Sequence, residues 1–132
     1  MRLRYQPQEN SLRLTLDAEG GGPARRLPLP GLVDVGEGGR LVGVELHPAP
    51  GVDLARALAR WRGDAVAAEY VSLDGSTAYI ELSAPDEASL REQMRAAEAT
   101  LAAELDASGA LVALSIPRHG AGYEISYPSG NQ

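Results

Sequence analysis

The stretch GRLVGVELHPAPG, residues 39–51, returns seventy residues later as GALVALSIPRHGAG, residues 109–122. In the first copy Val42, Val44 and Leu46 alternate with Gly43 and Glu45. In the second, Val112, Leu114 and Ile116 hold the matching places. Period two puts each set on one face of a β-strand. Each copy follows another alternating segment and a polar turn that ends in glycine: LVDVGEGG at 32–39 and AAELDASG at 102–109. A closing glycine that accepts positive φ suits a hairpin loop of three to five residues.

The repeat extends further toward the N-terminus. RYQPQENSLRLTL begins at Arg4 and EYVSLDGSTAYIEL at Glu69; each has a tyrosine (Tyr5, Tyr70), a turn and a second alternating strand. Leu12, Leu14 and Leu16 thereby match Ala78, Ile80 and Leu82. The unit read from this pattern is hairpin, variable connection, hairpin. Its one apolar face needs a cover, which a helix can supply. Leu54, Leu58 and Trp61 recur at helical spacing and predict a helix over about 53–62, with Asp53 in the capping region. Leu90, Met94, Ala97 and Leu101 share one helical face and predict a second helix over about 86–98. Ala102 to Asp106 is read as strand on the strength of the repeat, and Tyr123 to Tyr127 as a final edge strand.

The expected fold is therefore α+β: two tandem four-stranded antiparallel β-meander units, each with one helix, related by a pseudo-twofold axis, plus a C-terminal edge strand. The boundary falls at 62/63. Units of 1–62 and 63–132 are each marginal in size, so they are expected to form one composite domain.

The repeated pattern resembles a bacterial family of short proteins, domain of unknown function 2283. Tyr5, Asn10, Leu12, Leu14 and Leu16 carry the resemblance in the first half, followed by Asp34, Gly39, Leu41, Val42, Gly43, Val44, Glu45 and Leu46. Tyr70, Asp74, Tyr79, Ile80, Leu82, Asp106, Gly109, Leu111, Val112 and Leu114 carry it in the second. Ala113 and Ser115 stand where the family pattern has glycine and glutamate. The resemblance implies a small α+β fold in two diverged copies and brings no catalytic residues with it.

Composition narrows the chemistry. The 132 residues include no cysteine, and the basic residues are all arginine. Disulfides, thiolate metal sites, a cysteine nucleophile and lysine Schiff-base chemistry are excluded. No apolar run approaches the roughly 20 residues of a membrane-spanning helix. MRLRYQPQEN has no apolar stretch after its arginines, so no cleaved signal peptide is expected, and the protein is placed in the bacterial cytoplasm. Residues 1–62 hold nine arginines against seven acids, and residues 63–132 three against eleven. The net charge of −6 argues against a phosphate backbone as partner. The opposed halves favour a protein partner or self-association, a dimer through an edge strand included.

Few residues point to a site. His47 and His119 both follow a strand, and with Glu45 they are candidates for a ligand at the repeat seam. Neither histidine lies in a metal-ligand spacing such as HExxH. Arg2, Arg4 and Arg13 are expected to share the outer face of the first hairpin and, with Trp61, to offer a partner surface. For Trp61 the favoured place is packed on the sheet, the surface role being the alternative. The glycine-rich segments lack a lysine and lie between strands, so they are linkers rather than phosphate loops. AEGGGPARRLPLPG, residues 18–31, reads as a flexible start and a proline-stiffened connection. No cofactor is expected. The reading is a non-catalytic protein-interaction or oligomerising module; the alternative is a small-molecule or metal-binding domain built on the strand-end loops.

Overall fold

The two longest strands meet first. In the computed structural model, which describes residues 1–16, 22–82 and 95–126, β3 (Arg25–Val35) and β7 (Arg95–Leu105) pair antiparallel over all eleven residues, from Arg25↔Leu105 to Val35↔Arg95. Leu29, Val33, Leu101, Ala103 and Leu105 alternate onto one face and are buried. Around this pair lie β1 (Arg2–Gln6), β2 (Ser11–Thr15), β4 (Leu41–Leu46), β5 (Val71–Asp74), β6 (Thr77–Glu81) and β8 (Leu111–Pro117). The eight strands form one antiparallel sheet in the order β1-β2-β8-β7-β3-β4-β6-β5, curled into a half-barrel.

This order corrects the expected meanders. Strands β1–β2 and β3–β4 pair as hairpins, but β8 and β7 stand between them. The two halves interleave instead of each forming a four-stranded unit. The reason lies in the register: β2 pairs with β8 (Leu12↔Ile116, Leu14↔Leu114) and β4 with β6 (Val44↔Ile80, Leu46↔Ala78), so apolar residues of one half meet those of the other. A one-residue slip would send each set to the solvent face.

The second expected helix is corrected in part. Residues 95–98 belong to β7, and 86–94 lie outside the described residues. Ala97 and Leu101 satisfy helical spacing, yet period two puts them on the core face of a strand as well. Residues 102–105 are strand, as the repeat required. The linker reading of 18–31 is corrected over 25–31, since β3 begins at Arg25 and contains Pro28 and Pro30, while residues 18–21 lie outside the described residues. Proline is rare in central strands because it donates no ladder hydrogen bond. Here β4 reaches back only to Gly31↔Leu46. Pro30 O accepts from His47 N at 3.0 Å, so the proline nitrogens face the side where β4 has already ended.

The first helix forms close to its expected place but is interrupted. Asp53 Oδ1 accepts from the Ala55 and Arg56 amides at the start of α1 (Leu54–Ala57). Leu58, at φ −98° and ψ 5°, separates it from α2 (Ala59–Gly63). Leu54, Leu58 and Trp61 all face the core. Trp61 is fully buried and donates its indole N–H to Leu111 O at 2.8 Å. Arg60 reaches Asp106 at 3.2 Å. The segment after β4 thus closes over the β7–β8 turn.

The segment after β8 closes over the other turn. A two-residue hairpin, β9 (His119–Gly120) and β10 (Tyr123–Glu124), forms its own small sheet. The expected edge strand over 123–127 is thereby corrected: residues 123–124 pair only with β9, and Tyr127 lies outside the described residues. Tyr123 and Ile125 enter the core, and Ser126 N donates to Gly39 O at 2.8 Å. Gly39 and Gly109 end the two hairpin turns at φ 84° and 90°, the conformation the repeat predicted.

Two polar bridges span the outer face. Arg13 on β2 crosses β8 to the buried carboxylate of Glu104 on β7, over Ala113 and Ser115, which are buried beneath it. Arg26 joins Glu104 at 3.2 Å and Glu9 at 2.9 Å. Tyr79 on β6 crosses β4 and donates to Asp34 Oδ2 on β3 at 2.8 Å. Gly43 lies beneath the Tyr79 ring, where a methyl group would collide with the hydroxyl and come within 2.8 Å of Ile80 O. At Ala113 the crossing side chain is the unbranched Arg13 stem, and a methyl group is accommodated there. Gly43→Ala is therefore expected to destabilise the fold by about 1–3 kcal/mol through overpacking, read as a lower urea midpoint with unchanged slope.

Candidate functional site

Where β4 and β8 end, the sheet narrows to β3 and β7 among the described strands. A cleft of about 960 Å³ opens over this waist. Its floor is the pair Pro30↔Thr100 with Leu32, Glu98 and the small residues Gly31 and Ala99 beside it. His47, at the end of β4, forms one wall. Pro117 and the β9–β10 hairpin, with His119, Ala121 and Tyr123, form the other.

The two histidines come from segments 72 residues apart and line one cleft. In the repeat, however, Pro117 rather than His119 lies at the seventy-residue offset from His47. Each imidazole has a glutamate at hand. His47 Nε2 lies 2.6 Å from Glu45 Oε2, the two side chains sharing the outer face two residues apart. Glu124 is the register partner of His119 in the β9–β10 hairpin. Among the described residues no three histidine, aspartate or glutamate side chains converge to hold a metal ion. A closed zinc site uses four ligands and a catalytic one three.

The charge around the cleft is acidic. Glu98 is exposed within it, and among the described residues no arginine lines it. Glu45 connects this wall to Asp34, Tyr79 and Glu81 on the same outer face. Burial raises the Asp34 carboxyl above the usual aspartate range, against the hydrogen bond from Tyr79, and the Glu45 charge raises it further. Tyr79 is pushed up by burial, by its hydrogen bond to Asp34 and by the neighbouring carboxylates. Burial also raises Tyr123, whose hydroxyl donates to Pro117 O at 2.8 Å and fixes the hairpin against β8.

The expected partner surface divides. Arg2 and Arg4 stand exposed on the outer face of β1, opposite Thr15 and Arg13. Arg13 is turned to Glu104, which relieves its like-charge opposition to Arg4. Trp61 is no surface residue: its indole is enclosed in the core on the opposite side of the sheet. None of these four lines the cleft. Glu98, Thr100, Pro30, Pro117 and Tyr123 were not singled out in the sequence. Glu98 was hidden by the helical reading of 86–98, and Pro30 by the linker reading of 18–31.

Because the folded state raises the Asp34 pKa, it favours the protonated carboxyl. This contribution is favourable at low pH and is lost as pH rises through the folded pKa. Asp34→Asn cannot ionise, so its stability relative to the parent is expected to improve between pH 4 and pH 7. Urea unfolding of both proteins at the two pH values measures the difference.

With the geometry in hand, comparison with known proteins supplies no family: no protein-family model, curated protein or solved structure matches the chain.

Proposed function

We propose that the protein is a non-catalytic protein-interaction module of the bacterial cytoplasm, whose two-histidine cleft receives a basic, apolar segment of a partner polypeptide. The observation that carries this reading is the cleft over the β3–β7 waist. It is wide and open, with Pro30 and Leu32 in its floor, the exposed carboxylate of Glu98 beside them and, among the described residues, no arginine in its lining. Small-molecule sites typically enclose most of the ligand's surface. An open groove with an apolar floor and acidic rim suits an extended chain carrying arginine or lysine. Charge complementarity of this kind sets encounter rate and selectivity. The partner is another polypeptide or a second copy, whose own exposed Arg2 and Arg4 offer the required charge.

The same reading includes the origin of the cleft. The halves are taken as diverged copies of one unit, of the kind found in the family of unknown function 2283, related by an approximate twofold through Pro30 and Thr100. Support comes from the register. Leu12↔Ile116 and Leu14↔Leu114 become Ala78↔Leu46 and Ile80↔Val44 when the halves are exchanged. Glu104 with Arg13 likewise takes the place of Asp34 with Tyr79.

A second reading, a small molecule held between the imidazoles, is favoured by the convergence of His47 and His119 on one cleft. Native mass spectrometry of the protein gently purified from its own cells separates the two. The expected result is a stoichiometric polypeptide, or a second copy, that is retained by the parent and lost with Glu98→Arg or with His47→Ala/His119→Ala. A bound small mass lost with the histidine pair would replace the leading reading by the second. A bare monomer at high concentration would overturn both.

A further inference from the structure

A second cleft, of about 390 Å³, lies at the far end of β3 from the histidines. Arg25, Arg56, Asp53, Ser108 and Gly109 line it, with the backbone of Gly51 and Val52. Several arginines elsewhere in this acidic protein have partners: Arg13, Arg26 and Arg60 meet carboxylates, and Arg95 and Arg118 meet carbonyl oxygens. Arg25 and Arg56 are exposed, and neither meets a carboxylate among the described residues. Two guanidinium groups sharing one recess repel each other unless an anion lies between them.

The contrast with the opposite corner of the sheet sharpens the point. Arg25 and Arg95 begin the two central strands, at opposite ends of their ladder. Arg95 turns to Gly122 O at 3.3 Å in the hairpin that covers its corner. Arg25, facing the corresponding corner, has an open recess.

The walls are already ordered. Asp106 Oδ1 accepts from the Ser108 amide at 2.9 Å, the Ser108 hydroxyl at 2.7 Å and the Ala110 amide at 3.0 Å. Its other oxygen takes Arg60 at 3.2 Å. These bonds hold the turn that carries Ser108 and Gly109. The Arg56 stem packs on that turn, its Cδ 3.2 Å from where a Gly109 Cβ would stand. Among the described residues, Asp53 is the one carboxylate lining the recess. Its Oδ1 is committed to the Ala55 and Arg56 amides, and two arginines outweigh its charge.

We infer that this recess is an oxyanion site which takes a phosphate group between Arg25 and Arg56. Guanidinium binds phosphate oxygens through planar, charge-assisted hydrogen bonds, and two such groups clamp one anion from both sides. The recess is separate from the histidine cleft and has the opposite charge, so the inference stands apart from the proposed function.

The test is an NMR titration of the isotope-labelled full chain with inorganic phosphate, chloride holding the ionic strength constant. Saturable shifts are expected at the Arg56, Ser108 and Gly109 amides. Arg25→Gln and Arg56→Gln should each weaken binding about tenfold, whereas Arg4→Gln, on the exposed face of β1, should leave it unchanged. Unchanged peak positions outside the recess verify that each variant folds. Shifts no larger than chloride alone produces, or binding that survives both glutamine variants, would overturn the assignment.

Discussion

The rest of the structure depends on the ladder between β3 and β7. Eleven residues of each strand face each other, and this pairing joins the first half of the chain to the second. Once it forms, β4 and β8 flank it, and the remaining hairpins can add only at their outer edges. The first-half hairpin β1–β2 then lands beside second-half β8, and the second-half hairpin β5–β6 beside first-half β4. Interleaving follows from which strands are longest. Neither half retains a complete sheet of its own, since its two hairpins are held apart by strands of the other.

The same ladder creates both clefts. It outruns its neighbours at each end, because β4 pairs with only five residues of β3 and β8 with only four of β7. Past those ends the chain leaves the sheet. The segment after Leu46 turns toward the helices, and the segment after Pro117 toward the small hairpin. Histidines lie in these departures. The acidic cleft opens at the waist, and the arginine recess lies at a corner, where the β7–β8 turn meets the cap of α1.

Much of the local structure was readable from single stretches. Val44 and Leu46, like Leu114 and Ile116, carried an alternation that only a strand with one buried face requires. Gly39 and Gly109 marked turn ends that demand positive φ. Leu54, Leu58 and Trp61 had a helical spacing that held even though Leu58 breaks the helix. The failures share a cause. Ala97 and Leu101 fit both a helix face and a strand face, and alanine-rich sequence leaves local propensity to favour the helix; ladder pairing with β3 decided the matter. Pro28 and Pro30 marked a linker by local chemistry. They are tolerated in a strand because β4 ends before it would need their amide hydrogens.

By itself the sequence determined the hairpins, the buried alternating residues and the absence of thiol and lysine chemistry. These are consequences of side-chain type and short-range period. Only the tertiary structure decided which strands lie side by side, that His47 and His119 share one cleft, and that Arg25 and Arg56 line one recess. Such relations join residues dozens of positions apart. No local period records them, because they arise from the register of long strands and from where their neighbours stop.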